Sequence, residues 1–347
     1  MPNSRQALFF YSSEFSFFLT PLIIYLLCGR IIAEAMADNA PVEPNSMMIM
    51  LVALMLGLCA PIAILYLRDL LKFKIDDRAD VERITSVPVL SELPGGRKQT
   101  PVIGSVMVRE NKNDMMEESF RALRTQVLFM LDKTQQVILV TSSQPGEGKS
   151  FVTANLAVSL AYLGKKTLVI GADIRKPGLN KAFGFNKKQY GVSNYLNDPE
   201  GTRLEDFIFT SELSENLHIL PGGTVPPNPT ELVARNALEV MMEKLKTQYD
   251  YILLDTAPIG MVADTAIIGR VADMCIYVCR SEYTPKAAFA YINVLQNQKK
   301  FNKLATVIND VDYAKRKSRY GYGYGYGYGY GYGYGYGYGY ESKNKKK

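Results

Sequence analysis

Hydrophobic positions fall into three regimes along this chain. Residues 47–67, MMIMLVALMLGLCAPIAILYL, run 21 positions without a charge. As a helix that run is about 31 Å long, close to the ~30 Å of a hydrocarbon core, and it predicts a transmembrane helix. Arg68, Lys72 and Lys74 follow it, whereas Glu34, Asp38 and Glu43 precede it. The positive-inside tendency then puts everything after residue 68 in the cytoplasm, so the expected location is the inner (cytoplasmic) membrane. Residues 15–28 form a shorter apolar stretch interrupted by Thr20 and Pro21. Residues 1–46 are read as an N-terminal apolar segment. A truncated first membrane passage, a signal-like segment and an irregular remnant all stay open for it.

Beyond a segment read as a cytoplasmic linker, 68–105, short β-branched runs alternate with helical periodicity over 106–313. Residues 136–140 read as a strand running into the loop SSQPGEGKS, 142–150, and then a helix over 149–163 that Gly164 stops. Strands follow at 167–170, 249–254, 275–279 and 304–308. A helix is expected over 286–298, and another opens at Asn228-Pro229-Thr230-Glu231, with Asn228 as its cap. The pattern predicts an α/β fold, a doubly wound, mostly parallel sheet like that of P-loop NTPases. Residues 314–347 form a basic, Tyr-Gly tail.

Candidate chemistry sits at the strand ends. Strand, glycine-containing loop, then GKS opening a helix is the setting a phosphate-binding loop requires. Ser143, Gln144, Pro145, Gly146, Glu147, Gly148, Lys149, Ser150 and Phe151 are the expected nucleotide contacts. Backbone N–H groups of 146–150 would ring a phosphate, Lys149 would reach its oxygens, and the Ser150 hydroxyl would ligate Mg²⁺. The first glycine of the general pattern is Ser143 here. Asp173 and Asp255 follow two buried strands and are expected to complete the Mg²⁺ shell. ATP and Mg²⁺ are thus the expected cofactors.

Composition narrows the rest. The 347 residues include one histidine, His218, so histidine-clustered metal sites and Ser-His-Asp hydrolysis have little to draw on. Four cysteines without a CxxC pair support neither a disulfide framework nor a zinc site. The net charge of +6 is too diffuse to imply nucleic acid.

Several motifs in order resemble the bacterial tyrosine kinases that accompany capsule and exopolysaccharide export. They are PGEGKS (145–150), ADIRKP (172–177) and ILLDTAP (252–258), with LPGGTVPPNPTELV (220–233) before the third. Glu118, Arg121 and Arg124 match the family's E-x-x-R-x-x-R helix, which the resemblance implies mediates ring-like self-association. The resemblance runs from about residue 37 to the end of the chain. It implies an ATP-dependent protein-tyrosine autokinase, with Lys149, Asp173, Asp255 and Arg175 catalytic and Arg175 stabilising transferred charge. The implied partners are a second copy of the chain, a protein-tyrosine phosphatase, the polysaccharide polymerisation and export machinery, and membrane lipid.

Two departures stand out. The family's second motif begins with an aspartate that is Gly171 here, and that aspartate is a candidate for taking the acceptor's proton. At most 18 residues separate the two apolar stretches, where membrane-fused members carry a large extracytoplasmic domain.

Within 320–340 tyrosine and glycine alternate without a break. A glycine-rich segment with no aliphatic residue cannot bury a core and is expected to be disordered. Tyr320, Tyr322, Tyr324, Tyr326, Tyr328, Tyr330, Tyr332, Tyr334, Tyr336, Tyr338 and Tyr340 are the expected phosphoacceptors. Two other functions compete with this reading. One is an export scaffold that binds ATP without transferring phosphate. The other is a partitioning-type ATPase, which would carry a lysine where Gln144 stands.

Overall fold

The computed structural model describes residues 46–70, 73–95, 101–110, 114–184 and 190–313. The expectations for residues 1–45, for the tail and for its eleven tyrosines lie outside the described residues. The chain divides into two units, Met1–Leu71 and Lys72–Lys347.

In the first unit, α1 spans Ser46–Leu70 and carries Pro61 inside it. Its Met47–Ile64 stretch has a mean hydropathy of 2.6, with none of it buried. Among the described residues it is the one helix long and apolar enough to cross a membrane.

The second unit is built in chain order from α2 (Arg78–Ile84), β1 (Val89–Pro94), α3 (Met115–Met130), β2 (Val137–Ser142), α4 (Lys149–Tyr162) and β3 (Thr167–Gly171). Then come α5 (Leu179–Ala182), α6 (Val192–Asn197), β4 (Phe209–Ser211), β5 (Ser214–Leu220), α7 (Pro229–Ala234), α8 (Ala237–Lys246) and β6 (Tyr251–Asp255). The remainder is α9 (Asp264–Ile268), β7 (Met274–Arg280), α10 (Lys286–Phe289), α11 (Tyr291–Asn297) and β8 (Leu304–Val311). Eight strands form one sheet in the order β1-β8-β7-β2-β6-β3-β5-β4. Only the β4–β5 pair is antiparallel.

β2 is buried at all six positions because helices cover both faces of the sheet. From β2 the chain crosses over β6 to reach β3, and later crosses back over β2 from β6 to β7. The reversal sets a crevice above the C-terminal ends of these strands, where ligands of open α/β sheets bind.

Three expectations are corrected. The supposed linker 68–105 carries α2 and β1, and β1 pairs in parallel with β8. Ile75, Val81, Val87, Val89 and Leu93 are buried there, so the folded unit begins well before residue 106. Pro88 and Pro94 made this stretch read as linker, yet an edge strand tolerates proline because one side of its backbone needs no partner. The expected helix 286–298 is two helices meeting at Ala290. Asn228 does not cap α7 with its side chain, and the Thr230 hydroxyl is engaged elsewhere.

Candidate active site

The loop between β2 and α4 turns on two glycines with positive φ, Gly146 at 81° and Gly148 at 98°. A Cβ on Gly148 would lie 2.0 Å from Asn309 Nδ2, so only glycine fits. Glu147, fully buried, shapes the loop from inside. It accepts from Ser143 Oγ at 2.7 Å, the Gln144 N–H at 2.9 Å and Thr284 Oγ1 at 2.6 Å. Three further donors hold loop carbonyls from outside. Asn309 Nδ2 takes Glu147 O, Arg280 Nη1 takes Gly146 O and Tyr283 Oη takes Pro145 O, each at 3.0 Å. Each tie removes a loop motion that would cost ordering entropy when phosphate binds. Phe151 packs edge-on against Phe120 of α3, ring centroids 5.8 Å apart. A cavity of about 250 Å³ opens beside the loop, lined by Met107, Phe151, Arg280, Asn309 and Asp310 among others.

The backbones of the two aspartates expected at the metal meet. β3 and β6 are neighbours with Gly171 opposite Asp255, and the Asp173 N–H donates to Asp255 O at 2.9 Å. Ser150 Oγ donates to Asp255 Oδ2 at 2.7 Å, while Asp255 Oδ1, buried, has no hydrogen-bond partner. Burial pushes the Asp255 carboxyl up to about 6 against its ordinary 3.8. The Ser150 hydrogen bond and the Lys149 charge oppose that shift, and Asp173 adds to it. A buried carboxylate with an unpartnered oxygen, next to a P-loop serine, fits a divalent cation. No group of three or more His, Cys, Asp or Glu side chains that could hold a metal ion occurs among the described residues. The set of Ser150, Asp173 and Asp255 suits Mg²⁺, which keeps waters and takes further oxygens from phosphates. Lys149, half-buried at the start of α4, has no ion pair among the described residues.

Arg175 meets a competing partner. Its Nε and Nη2 hold Asp264 Oδ2 and Oδ1 at 2.5 and 3.0 Å, and Thr230 Oγ1 donates to Asp264 Oδ1 at 2.8 Å. A role in stabilising transferred charge requires this pair to open. Gly171 is fixed by packing, since a Cβ there would lie 2.7 Å from the Gly222 N. The loop 220–223 occupies the space a side chain at 171 would need.

Within one chain the E-x-x-R-x-x-R residues already have partners. Arg121 bridges Glu117 at 2.5 Å and Glu118 at 2.9 Å along α3, with Glu118 facing solvent. Arg124 Nη1 donates to Ser159 O of α4 at 2.6 Å. Burial, then the Arg121 charge, lowers that guanidinium from its ordinary value.

Sequence reasoning missed Asn309, Arg280, Tyr283, Thr284 and Asp264. The one signal for Asn309 was its place at the end of a buried strand facing the ligand crevice.

Comparisons with known proteins agree with this fold. A family model described as an AAA domain matches residues 135–306. A Klebsiella pneumoniae protein named as a tyrosine-protein kinase of the cps region is 32% identical over 84% of this chain, which spans 42% of that relative. A Staphylococcus aureus relative named as tyrosine-protein kinase CapB is 31% identical over 64% of this chain and 96% of its own length. Among solved structures, the BceF tyrosine kinase domain aligns with a TM-score of 0.59 at 32% identity, covering 69% of this chain and all of that one. The chain spans less than half the length of several longer relatives, 42% of the Klebsiella protein and 34% of a Ralstonia solanacearum one.

Proposed function

The chain belongs to the bacterial tyrosine-kinase family, and from that premise we propose that it is an ATP-dependent protein-tyrosine autokinase regulating capsule or exopolysaccharide polymerisation and export. The observation that carries this reading is the Ser150–Asp255 contact beside Asp173, at the mouth of a P-loop already tied into shape. Phosphoryl transfer passes through a loose transition state, so the protein's work is positioning and charge neutralisation. The 146–150 N–H groups and Lys149 hold the phosphates. Ser150, Asp173 and Asp255 would hold Mg²⁺, which would supply positive charge to offset that of the phosphates. The acceptor is a phenol of the 320–340 tail, presented by a neighbouring copy in a ring that Glu118, Arg121 and Arg124 support. With Gly171 at the first motif position, Asp173 or Asp255 takes the phenolic proton. The anchor is α1 in the inner membrane, with the kinase unit cytoplasmic. A phosphatase, the export machinery and lipid are the remaining partners.

Phosphotyrosine on the purified protein after Mg·ATP tests this, beside Lys149→Met and a truncation after Arg319. The signal should vanish in the first and fall to a small remainder in the second. Nucleotide binding without phosphotyrosine would favour the second reading, an ATP-binding export scaffold, for which Gly171 is the specific support.

A further inference from the structure

Tyr283 lies just past the end of β7, 38% exposed, on the outside of the P-loop. Its Oη donates to Pro145 O at 3.0 Å, and its ring lies 5.0 Å from the Arg280 guanidinium carbon. That arginine holds the next carbonyl, Gly146 O, through Nη1, and Asp310 Oδ2 through Nε and Nη2 at 3.0 and 2.8 Å. Two consecutive carbonyls at the loop's tip therefore depend on one tyrosine and the arginine stacked on it. A Cβ on Gly146 would come within 2.9 Å of the Tyr283 hydroxyl, which shows how closely that group presses on the loop.

We propose that Tyr283 is a phosphoacceptor in its own right, modified by a second copy of this chain, and that the modification loosens the P-loop and weakens nucleotide binding. The idea rests on the kinase reading above. In the transfer, the bond between the γ-phosphorus and its bridging oxygen breaks as one forms to Tyr283 Oη. The phenolic proton passes to the carboxylate base of the transferring copy's site and ADP departs. Tyr190 and Tyr291 are also exposed in this unit, but the loop's carbonyl is held by Tyr283. The Tyr283 hydroxyl is held by one exposed neutral hydrogen bond, which opens at little cost.

Transfer must come from another copy. In a trans peptide the Pro145 carbonyl and the Gly146 N–H point opposite ways. A phosphate on the N–H side leaves Tyr283 on the far side of the loop. Once modified, the side chain has no proton to donate to Pro145 O and presents about −1.5 to −2 charges to it. The same phosphate is a strong acceptor for Arg280 and draws it off Gly146 O. Both ties on the tip are lost together, so the kinase's own product lowers its affinity for the next nucleotide.

The experiment mixes full-length wild type with isotope-labelled Lys149→Met protein in Mg·ATP and examines the labelled tryptic peptide 281–286. Phosphorylation of that peptide is expected. Tyr283→Glu should bind Mg·ADP about tenfold more weakly than Tyr283→Phe, the size expected when Arg280 is drawn off Gly146 O, since both variants lack the bond to Pro145 O. Wild type separated into modified and unmodified fractions gives the same comparison without a substitution. Tail phosphorylation with peptide 281–286 untouched overturns the proposal and leaves the kinase reading standing. Equal nucleotide affinity of the modified and unmodified fractions also overturns it. Phosphotyrosine absent from the tail as well sinks the kinase reading, and this proposal with it.

Discussion

Replacing Asp255 by asparagine should stabilise the nucleotide-free protein relative to wild type, and increasingly so as pH rises. The residue is 2% exposed, one carboxyl oxygen is unpartnered, and burial pushes the carboxyl from 3.8 to about 6. Between those values the folded chain holds a proton that the unfolded chain has released. Stability therefore falls with rising pH through this window and is flat in this group above it. A rise of that size is worth about 3 kcal/mol at 1.36 kcal/mol per pH unit. The amide of the Asp255→Asn variant does not titrate, so the variant's stability relative to wild type should climb by about that amount between roughly pH 4 and pH 7. Calorimetric melting would show the difference in Tm widening by roughly 6–12 °C, taking ~2–4 °C per kcal/mol for a domain of this size. Saturating Mg·ADP should then reverse the order at pH 7. Wild type gains ~4 kcal/mol at a thousandfold excess over its Kd, and the variant binds too weakly to follow. A difference in Tm that stays constant with pH would refute the reasoning, as would one that moves in wild type's favour.

Lys149→Met should abolish phosphotransfer yet leave the nucleotide-free Tm almost unchanged, because no ion pair is broken among the described residues. Glu147→Ala should cost about 3–5 kcal/mol in denaturant unfolding, because Ser143 Oγ, the Gln144 N–H and Thr284 Oγ1 all lose their acceptor. Gly171→Asp, which restores the family's usual residue, should destabilise by about 1–3 kcal/mol and fail to raise the rate, because the Cβ meets the Gly222 backbone at 2.7 Å. A faster enzyme of unchanged Tm would contradict that. Arg124→Ala should destabilise dilute, unassembled protein by roughly 1–3 kcal/mol, read as a lower Tm, since its bond to Ser159 O joins α3 to α4 within one chain. An effect seen only at concentrations that assemble the protein would place the residue's role between copies instead.

Much of the candidate site could be read from the sequence because its chemistry is local. The P-loop, Lys149 and Ser150 are contiguous, and buried parallel strands announce themselves as unbroken β-branched runs, so Asp173 and Asp255 are found simply by following those strands to their ends. What supports the loop is not local. Arg280, Tyr283, Thr284 and Asn309 reach it only because β7 and β8 lie on β2's side of the sheet, and no periodicity encodes that adjacency. Asp264 was invisible for the same reason, and with it the partner that occupies Arg175. β1 went unread because an edge strand needs only part of its surface buried, and its prolines look like punctuation. Gly171 was noticed as a missing carboxylate. That its position has no room for one became apparent only from the approach of the 220–223 loop.

The two edges of the sheet have a consequence for how copies of the chain can associate. An exposed strand edge is a template for pairing with another molecule, and this sheet blunts both of its own. β4 is three residues long and runs against its neighbour. β1 breaks register twice along β8 and ends at Pro94, and Tyr313 Oη occupies the Glu92 carbonyl. Neither edge offers a long, regular row of donors and acceptors for strand addition. Copies of the chain that meet are thereby steered away from continuous cross-chain sheets, which are hard to undo. Helical faces are left as the contact surfaces, and contacts of that kind can be made and released.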